Sequence, residues 1–410
     1  MKRYTILLTM LSLILFSCGG KDKSADTVIT WWQFWTDATI KPVIKEIISD
    51  FEGKHPGVKV ELVDLTWSDG HDKIAIAFSS HAGPDVVELG SDWVLEFITS
   101  GHLLDITGKI GSDKNSFLMW DPATYENRLY GFPWILGTRV LYANTELLAR
   151  AGYQTDFSPQ NWNDLLQSAK KINDLNSDIF GFGSNSAEKH RLYKKFLPFL
   201  WSNGGRILSD DGRKCLLNQP EALEALKYYQ RLCSSTGLTD TQRRLEDVFL
   251  EGRLGYVISG DWLLKRIARE KPDIRFSTCL IPGPKSLNES RSFAGGEYLV
   301  INSESKNPDM AYQLIRHITS PENQLKFCLA NKTANPSSVE TAKDSSFLLQ
   351  PHFDTFIRQM KTAQMPPMHP RWVYIEDRFE KAIEAALYGS KTPEQAFDDA
   401  TVEIEELLKP

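Results

Sequence analysis

The sequence predicts an α/β fold built on parallel strands. Three observations carry that expectation. Val28–Trp32 and Val58–Val63 are short β-branched and aromatic runs, and Val86–Val87 is a third, introduced by the turn Gly83-Pro84-Asp85. Between the first two, Ile40, Val43, Ile44, Ile47, Ile48 and Phe51 recur at the helical period, and a second helix spans Asp72 to Ser80. Strand, helix, strand, helix, strand in that order needs crossover connections, and crossovers make a parallel sheet. With 410 residues, the chain has room for two domains or one large one. Its core can be large enough to need no disulfide or metal.

The first residues stand apart from that pattern. Lys2 and Arg3 precede an apolar run from Ile6 to Phe16 that is too short to span a bilayer and has the layout of a secretory signal. Leu15-Phe16-Ser17-Cys18-Gly19 resembles the bacterial lipoprotein signal, although Phe16 is bulkier than that pattern prefers. The resemblance implies a leader of residues 1–18 ending at a lipidated Cys18, and a polar tether over 19–27. No other run approaches membrane-spanning length.

In the helix after the first strand, Pro42 lies in the first turn, where its missing N–H costs nothing. The cluster Gly53-Lys54-His55-Pro56-Gly57 stops it. After Val86–Val87, the polar group Glu88, Ser91, Asp92 crowds the strand's carboxyl end, the edge where open α/β sheets take their ligands. The plainer reading has Ser91 or Asp92 capping the helix Trp93–Ile98. Leu129–Trp134 reads as a strand and turn, Arg139–Asn144 as a strand, and Glu146 to Gly152 as a helix. A helix near Trp162 buries Leu165, Leu166, Ala169 and Ile172. Phe180-Gly181-Phe182-Gly183 reads as a strand, and Ser186 stands where a dinucleotide fingerprint would need its third glycine. A helix starts at Pro220, a buried strand covers Leu254–Ile258, and Ser259-Gly260-Asp261-Trp262 is its exit. Glu297–Ile301 is a further strand behind Gly295-Gly296. Pro308 opens a helix, and the last third is helical.

The net charge of -6 is spread along the chain, with no basic patch that would suit nucleic acid. Cys215, Cys233, Cys279 and Cys328 form no CxxC pair, so they read as buried hydrophobes and not as a zinc site. No cofactor motif is present. GxSxG, HExxH and the P-loop are absent. Glu88 and Asp92 are spaced i,i+4 and could serve a glycosidase, which needs two carboxylates about 5–10 Å apart across the sugar, but no other feature supports them as a pair.

A succession of motifs then carries a resemblance over almost the whole mature chain: Phe51–Val60, Gly83–Val87, Tyr130–Trp134, Val140–Asn144, Gly204-Gly205, Phe249–Arg253, Ile258–Trp262, Leu387–Gly389 and Thr392–Ala396. In order and spacing the chain resembles the extracellular solute-binding proteins of bacterial ABC importers, in the sugar-binding group that includes maltose-binding protein. The departure is Ala143-Asn144, where a Tyr-Asn pair is common. The resemblance implies a two-lobed periplasmic-binding-protein fold, each lobe a mostly parallel sheet flanked by helices and joined by a hinge. It implies an N-terminal lobe of 28–138 plus 295–341 and a C-terminal lobe of 139–294 plus 342–410. It implies a carbohydrate ligand buried between the lobes, a partnership with the permease's transmembrane subunits, a monomer, and binding without catalysis. An amino acid, peptide, polyamine or metal ligand would call for a charge clamp or a cage of His and carboxylates.

Sugars have polar edges and apolar faces, so their sites need aromatic platforms and planar polar groups. At strand exits in the first half, the candidates are Gln33, Trp35, Asp37, Trp67, Glu88, Asp92 and Arg139. In the second half, Trp262 matches a stacking tryptophan of the family by position, and Trp201 precedes the double-glycine turn. Gly295, Gly296 and Glu297 lie on the returning strand. Arg371 and Trp372 belong to a loop from which relatives reach the ligand.

Overall fold

The computed structural model describes residues 27–185, 188–332 and 335–409. The leader with Cys18, and Ser186, lie outside them. Strand β1 (Thr27–Gln33) runs parallel to β2 (Val58–Asp64) over its full length. β3 (Val86–Gly90) pairs with β1 on the other side, also parallel. The crossovers are the helices Lys41–Lys54 and Gly70–Ser79. The first buries Ile44, Ile47, Ile48 and Phe51, and Pro42 sits in its first turn. The predicted βαβαβ unit is therefore present.

After a two-residue hairpin, β4 (Thr124–Tyr125) and β5 (Arg128–Leu129), come β6 (Gly131–Thr138) and β7 (Val140–Asn144). Arg139 alone separates these last two strands, yet they belong to different sheets. β8 (Phe180–Asn185), β9 (Gly237–Asp240), β10 (Leu254–Ser259) and β11 (Phe276–Cys279) complete the second sheet, in the order β11-β7-β10-β8-β9. β12 (Ser292–Ile301) then returns to the first sheet between β6 and β3. β13 (Asn335–Pro336) and β14 (Ala363–Gln364) add short edges, pairing with β6 and β12.

The chain thus forms two α/β lobes, but both sheets are mixed where mostly parallel ones were expected. Only strands linked by a crossover helix, or carried along beside such a pair, run parallel. β7 and β12 arrive from the other sheet without a crossover; β7 runs antiparallel to β10 and β11, and β12 antiparallel to β3 and β6. The glycine of the Phe180-Gly181 strand serves packing. A Cβ on Gly181 would stand 2.0 Å from the Ala169 carbonyl oxygen, so helix Trp162–Asn173 lies directly on the strand's backbone. The four cysteines among the described residues are buried, as expected, and free. Most of the tryptophans are core: Trp31, Trp93, Trp120, Trp134, Trp162 and Trp372 are all buried.

Candidate functional site

A cavity of about 410 Å³ lies between the two sheets and draws its lining from both. Trp35 and Asp37 reach it from the loop after β1, Trp67 from the loop after β2, and Asp92 from the end of β3. Arg139 lies between β6 and β7. Trp262 opens helix Trp262–Glu270, and Gly295, Gly296 and Glu297 come from the middle of β12. Nine of the predicted residues therefore converge on one space.

Asp92 does not cap the helix behind it. That helix, Val94–Thr99, begins without any side-chain cap. The Asp92 carboxylate instead accepts the Tyr193 hydroxyl at 2.6 Å and faces the Lys194 ammonium at 3.0 Å. Burial alone would raise its pKa, but Lys194 and Tyr193 outweigh burial and hold it below the usual range. Ser91 accepts the Gly296 N–H at 3.3 Å and donates its own N–H to the Gly296 carbonyl at 2.8 Å. Asp37 also spans the gap: its carboxylate lies 3.1 Å from Lys265 and 2.9 Å from Arg269. It also closes a local turn by accepting from Thr39.

Trp262 is the platform of the second lobe. Its ring is pressed onto Gly260, where a Cβ would stand 1.9 Å from Cζ3. Its indole N–H donates to Glu246 at 2.7 Å. The Arg139 guanidinium lies 4.6 Å and the Lys195 ammonium 5.3 Å from its ring centroid, both within cation–π range. Glu246 ties the platform down. It also accepts from Ser259 at 2.8 Å and Gln242 at 2.7 Å, and pairs with Arg266 at 2.9 Å. Glu297 is half-buried, and burial pushes its pKa up to about 7 against the pull of Arg139.

The two glycines of β12 line the cavity and also answer a packing requirement. A Cβ on Gly296 would stand 2.3 Å from the Ile135 carbonyl, and one on Gly295 2.6 Å from the Phe293 ring. Close packing around their own strand demands them.

Five predicted residues sit elsewhere. Gln33 is fully buried; it donates to Asp64 at 2.6 Å and accepts the Trp35 N–H at 2.6 Å, shaping the loop that carries Trp35. Glu88 is sealed inside the sheet and accepts the Phe34 N–H at 3.0 Å, and burial drives its pKa well up. It cannot act with Asp92 across a sugar. Trp201 packs against the second lobe's core and lines a separate cavity of about 650 Å³. Arg371 donates to the carbonyls of Leu407 and Lys409, at 2.6 and 3.2 Å, fastening the last helix. Trp372 is 2% exposed and packs its edge against Tyr193 at 5.7 Å.

Sequence reasoning missed Tyr193, Lys194, Lys195, Gln242 and Glu246. The first three open helix Tyr193–Ser202, whose apolar run masks them. The other two are i,i+4 on helix Gln242–Leu250, which Thr241 caps; that cap with Leu245, Val248 and Phe249 is the signal that could have found them. Among the described residues, no group of three or more His, Cys, Asp or Glu side chains could hold a metal ion. No described helix is long and apolar enough to cross a membrane.

The family profile described as bacterial extracellular solute-binding protein matches residues 35–325. A maltodextrin-binding protein of Bacillus subtilis is 24% identical over 391 residues, covering 91% of this chain and 89% of its own. A maltooligosaccharide ABC transporter solute-binding lipoprotein of Streptococcus pneumoniae is 23% identical over 423 residues, covering 98% and 95%. Among solved structures, an ABC transporter solute-binding protein of Thermotoga lettingae bound with α-D-tagatose superposes with a TM-score of 0.86 at 26% identity, covering 93% of this chain and all of that one.

Proposed function

Because this chain belongs to the bacterial extracellular solute-binding protein family, we propose that it captures a carbohydrate between its lobes and delivers it to the transmembrane subunits of an ABC importer. The observation that carries this reading is the pairing of Trp262, fixed by Glu246 on one side of the cavity, with polar side chains from the other lobe. A flat aromatic face suits the C–H face of a sugar ring, and carboxylates and guanidinium suit its hydroxyls. Relatives named for maltodextrin and maltooligosaccharide support the same class.

In this reading the lobes comprise 28–138 plus 295–341 and 139–294 plus 342–410. They close on the ligand about the connections at Arg139 and near Ala294, and the protein acts as a monomer that binds without turnover. The leader ends at Cys18, which becomes the lipidated first residue of the mature chain and holds it to the membrane through a short tether. Relatives described as lipoproteins support this anchor. Replacing Cys18 with Ser should move the protein to the soluble fraction of the cell envelope; a variant still bound to membranes would sink the anchor.

The function itself is tested by thermal shift against a panel of mono- and oligosaccharides. A ligand at 100 times its dissociation constant stabilises the bound form by about 2.7 kcal/mol. Turnover of a bound sugar would refute pure binding, and a shift given only by amino acids, peptides or polyamines would refute the carbohydrate reading.

A further inference from the structure

We infer that the saccharide this cavity takes carries an anionic group, a carboxylate or a sulfate or phosphate ester, seated against Lys195 and Arg139 beside the Trp262 face. The inference rests on the carbohydrate reading and narrows it.

The whole chain carries a net charge of -6, yet the cavity is lined by seven basic and five acidic side chains. The excess is not spread evenly. Lys194 is matched by Asp92, Lys265 by Asp37, Arg266 by Glu246, and Arg243 by Asp247. Arg191 has Glu188 at 3.9 Å. Among the described residues, no carboxylate lies within ion-pair distance of Lys195 or Arg139. Lys195 is 4% exposed, and its ammonium has only the Trp262 ring, 5.3 Å from the centroid. Arg139 donates one N–H to the Thr138 carbonyl at 3.1 Å, while its Nε is buried with no partner.

An unpaired buried cation is costly, and two facing the same tryptophan cost more. Burial, reinforced by Arg139, pushes the Lys195 pKa well below its ordinary value. A bound anion removes that penalty: the guanidinium offers a planar fork and the ammonium a compact point charge, a matched pair of donors for one anion. The acidic groups nearby do not cancel this. Glu246 is committed to Trp262, Ser259, Gln242 and Arg266. Glu297, pushed up to about 7, takes a proton at little cost and then becomes a donor. Asp261 lines the same cavity and acts on Arg139, so the anion sits toward Lys195. A neutral sugar would leave both cations unpaired inside a closed site.

The test is calorimetric titration of the full mature chain with matched pairs. Glucuronic and galacturonic acids and their oligosaccharides are set against glucose, galactose and their neutral oligosaccharides; glucose 6-sulfate and glucose 6-phosphate distinguish the anion's source. At least one acidic member should bind about tenfold or more tighter than its neutral parent, the worth of one charge-assisted contact. In the double variant Lys195→Met, Arg139→Gln, that preference should collapse to within about twofold of unity. Without ligand, Lys195→Met should melt no lower than the parent, since no ion pair is lost, only the contact with the Trp262 ring, and the stem is replaced. Three results overturn the inference: neutral sugars binding as tightly as acidic ones, the preference surviving in the double variant, or Lys195→Met melting well below the parent. The first of these leaves the carbohydrate reading intact. Binding of no saccharide, neutral or acidic, would overturn both.

Discussion

Tyr193 donates its hydroxyl to Asp92 across 2.6 Å, and the two residues belong to opposite lobes. Asp92 follows β3 of the first sheet, while Tyr193 opens a helix packed in the second lobe's core. Lys194 adds an ammonium 3.0 Å from the same carboxylate, with side-chain exposures of only 12% and 2%. The contact is a latch that ties the two lobes together. Removing one member of a buried pair leaves the other charge uncompensated, at a cost of about 3–5 kcal/mol.

Asp92→Asn should therefore open the unliganded protein. Small-angle scattering should give a larger radius of gyration than the parent, and binding should weaken by about tenfold or more. Tyr193→Phe loses one hydrogen bond to a charged group, about 1.5–3 kcal/mol, and should do the same more weakly. An Asp92→Asn protein with the parent's radius and affinity would show that the latch plays no part in closure.

Gly260 sets the position of Trp262. A Cβ there would stand 1.9 Å from the indole, so Gly260→Ala must swing the ring and break its 2.7 Å bond to Glu246. Tryptophan emission should shift and ligand affinity fall by about tenfold or more, with the far-ultraviolet circular dichroism unchanged. Gly53→Ala is the control, because its added Cβ meets nothing within 4 Å. Equal affinities in the two variants would remove Trp262 from the site.

What could be read in the sequence follows from where periodicity is strong. The strand–helix alternation from β1 to β3 and the capped or proline-started helices were legible, because each depends on neighbouring residues. So were Trp35, Asp92 and Trp262, which stand just past strands. Gln33 and Glu88 misled for a physical reason: both still belong to their strands, Gln33 as the last residue of β1 and Glu88 two residues before the end of β3, and there a strand's alternation turns the side chain into the sheet's packing instead of the cavity. Trp372 misled because an aromatic near a loop looks exposed until the helix it starts is docked. Lys194 was hidden because its importance depends on which carboxylate the other lobe brings, a contact between residues 102 positions apart in the case of Asp92 and Lys194, and Lys195 because its importance depends on where the Trp262 ring comes to lie. The antiparallel entry of β7 and β12 was hidden likewise, since it depends on the chain changing lobes.

The stability that Glu380 and Glu297 contribute should fall as pH rises from about 4.5 to about 8. Burial, with Glu376 beside it, raises Glu380 from 4.5 to about 8, and burial raises Glu297 to about 7. Both folded values exceed the unfolded ones, so the folded state binds more protons in this window. Their contribution is complete below about 4.5 and lost as pH passes 7 and then 8. Asp92, held below its ordinary 3.8 in the fold, works in the other direction and contributes only above that value. Urea unfolding at pH 5 and pH 8.5, run on the parent and on Glu380→Gln, reads this contribution as a difference in pH slope. Glu380→Gln should be less stable at pH 5, because it accepts less well from the His190 and Tyr193 N–H groups, but should show a shallower pH slope. An unchanged slope would exclude Glu380 as its source.

The second bridge across the gap, from Asp37 to Lys265 and Arg269, should behave unlike the Asp92 latch. Its geometry is good, at 3.1 and 2.9 Å, but the Asp37 and Arg269 side chains are 37% and 40% exposed. Exposed pairs contribute only about 0–1 kcal/mol and are screened by salt, whereas the latch is shielded from both water and ions. Asp37→Asn should therefore weaken binding by no more than about fivefold at low salt, and the difference from the parent should shrink between about 20 mM and 500 mM sodium chloride, over which the Debye length falls from about 20 Å to about 4 Å. The defect in Asp92→Asn should persist across the same range. Titrating both variants at both salt concentrations separates the two bridges. A salt-insensitive defect in Asp37→Asn as large as that of Asp92→Asn would mean that exposure does not decide which bridge holds the lobes together.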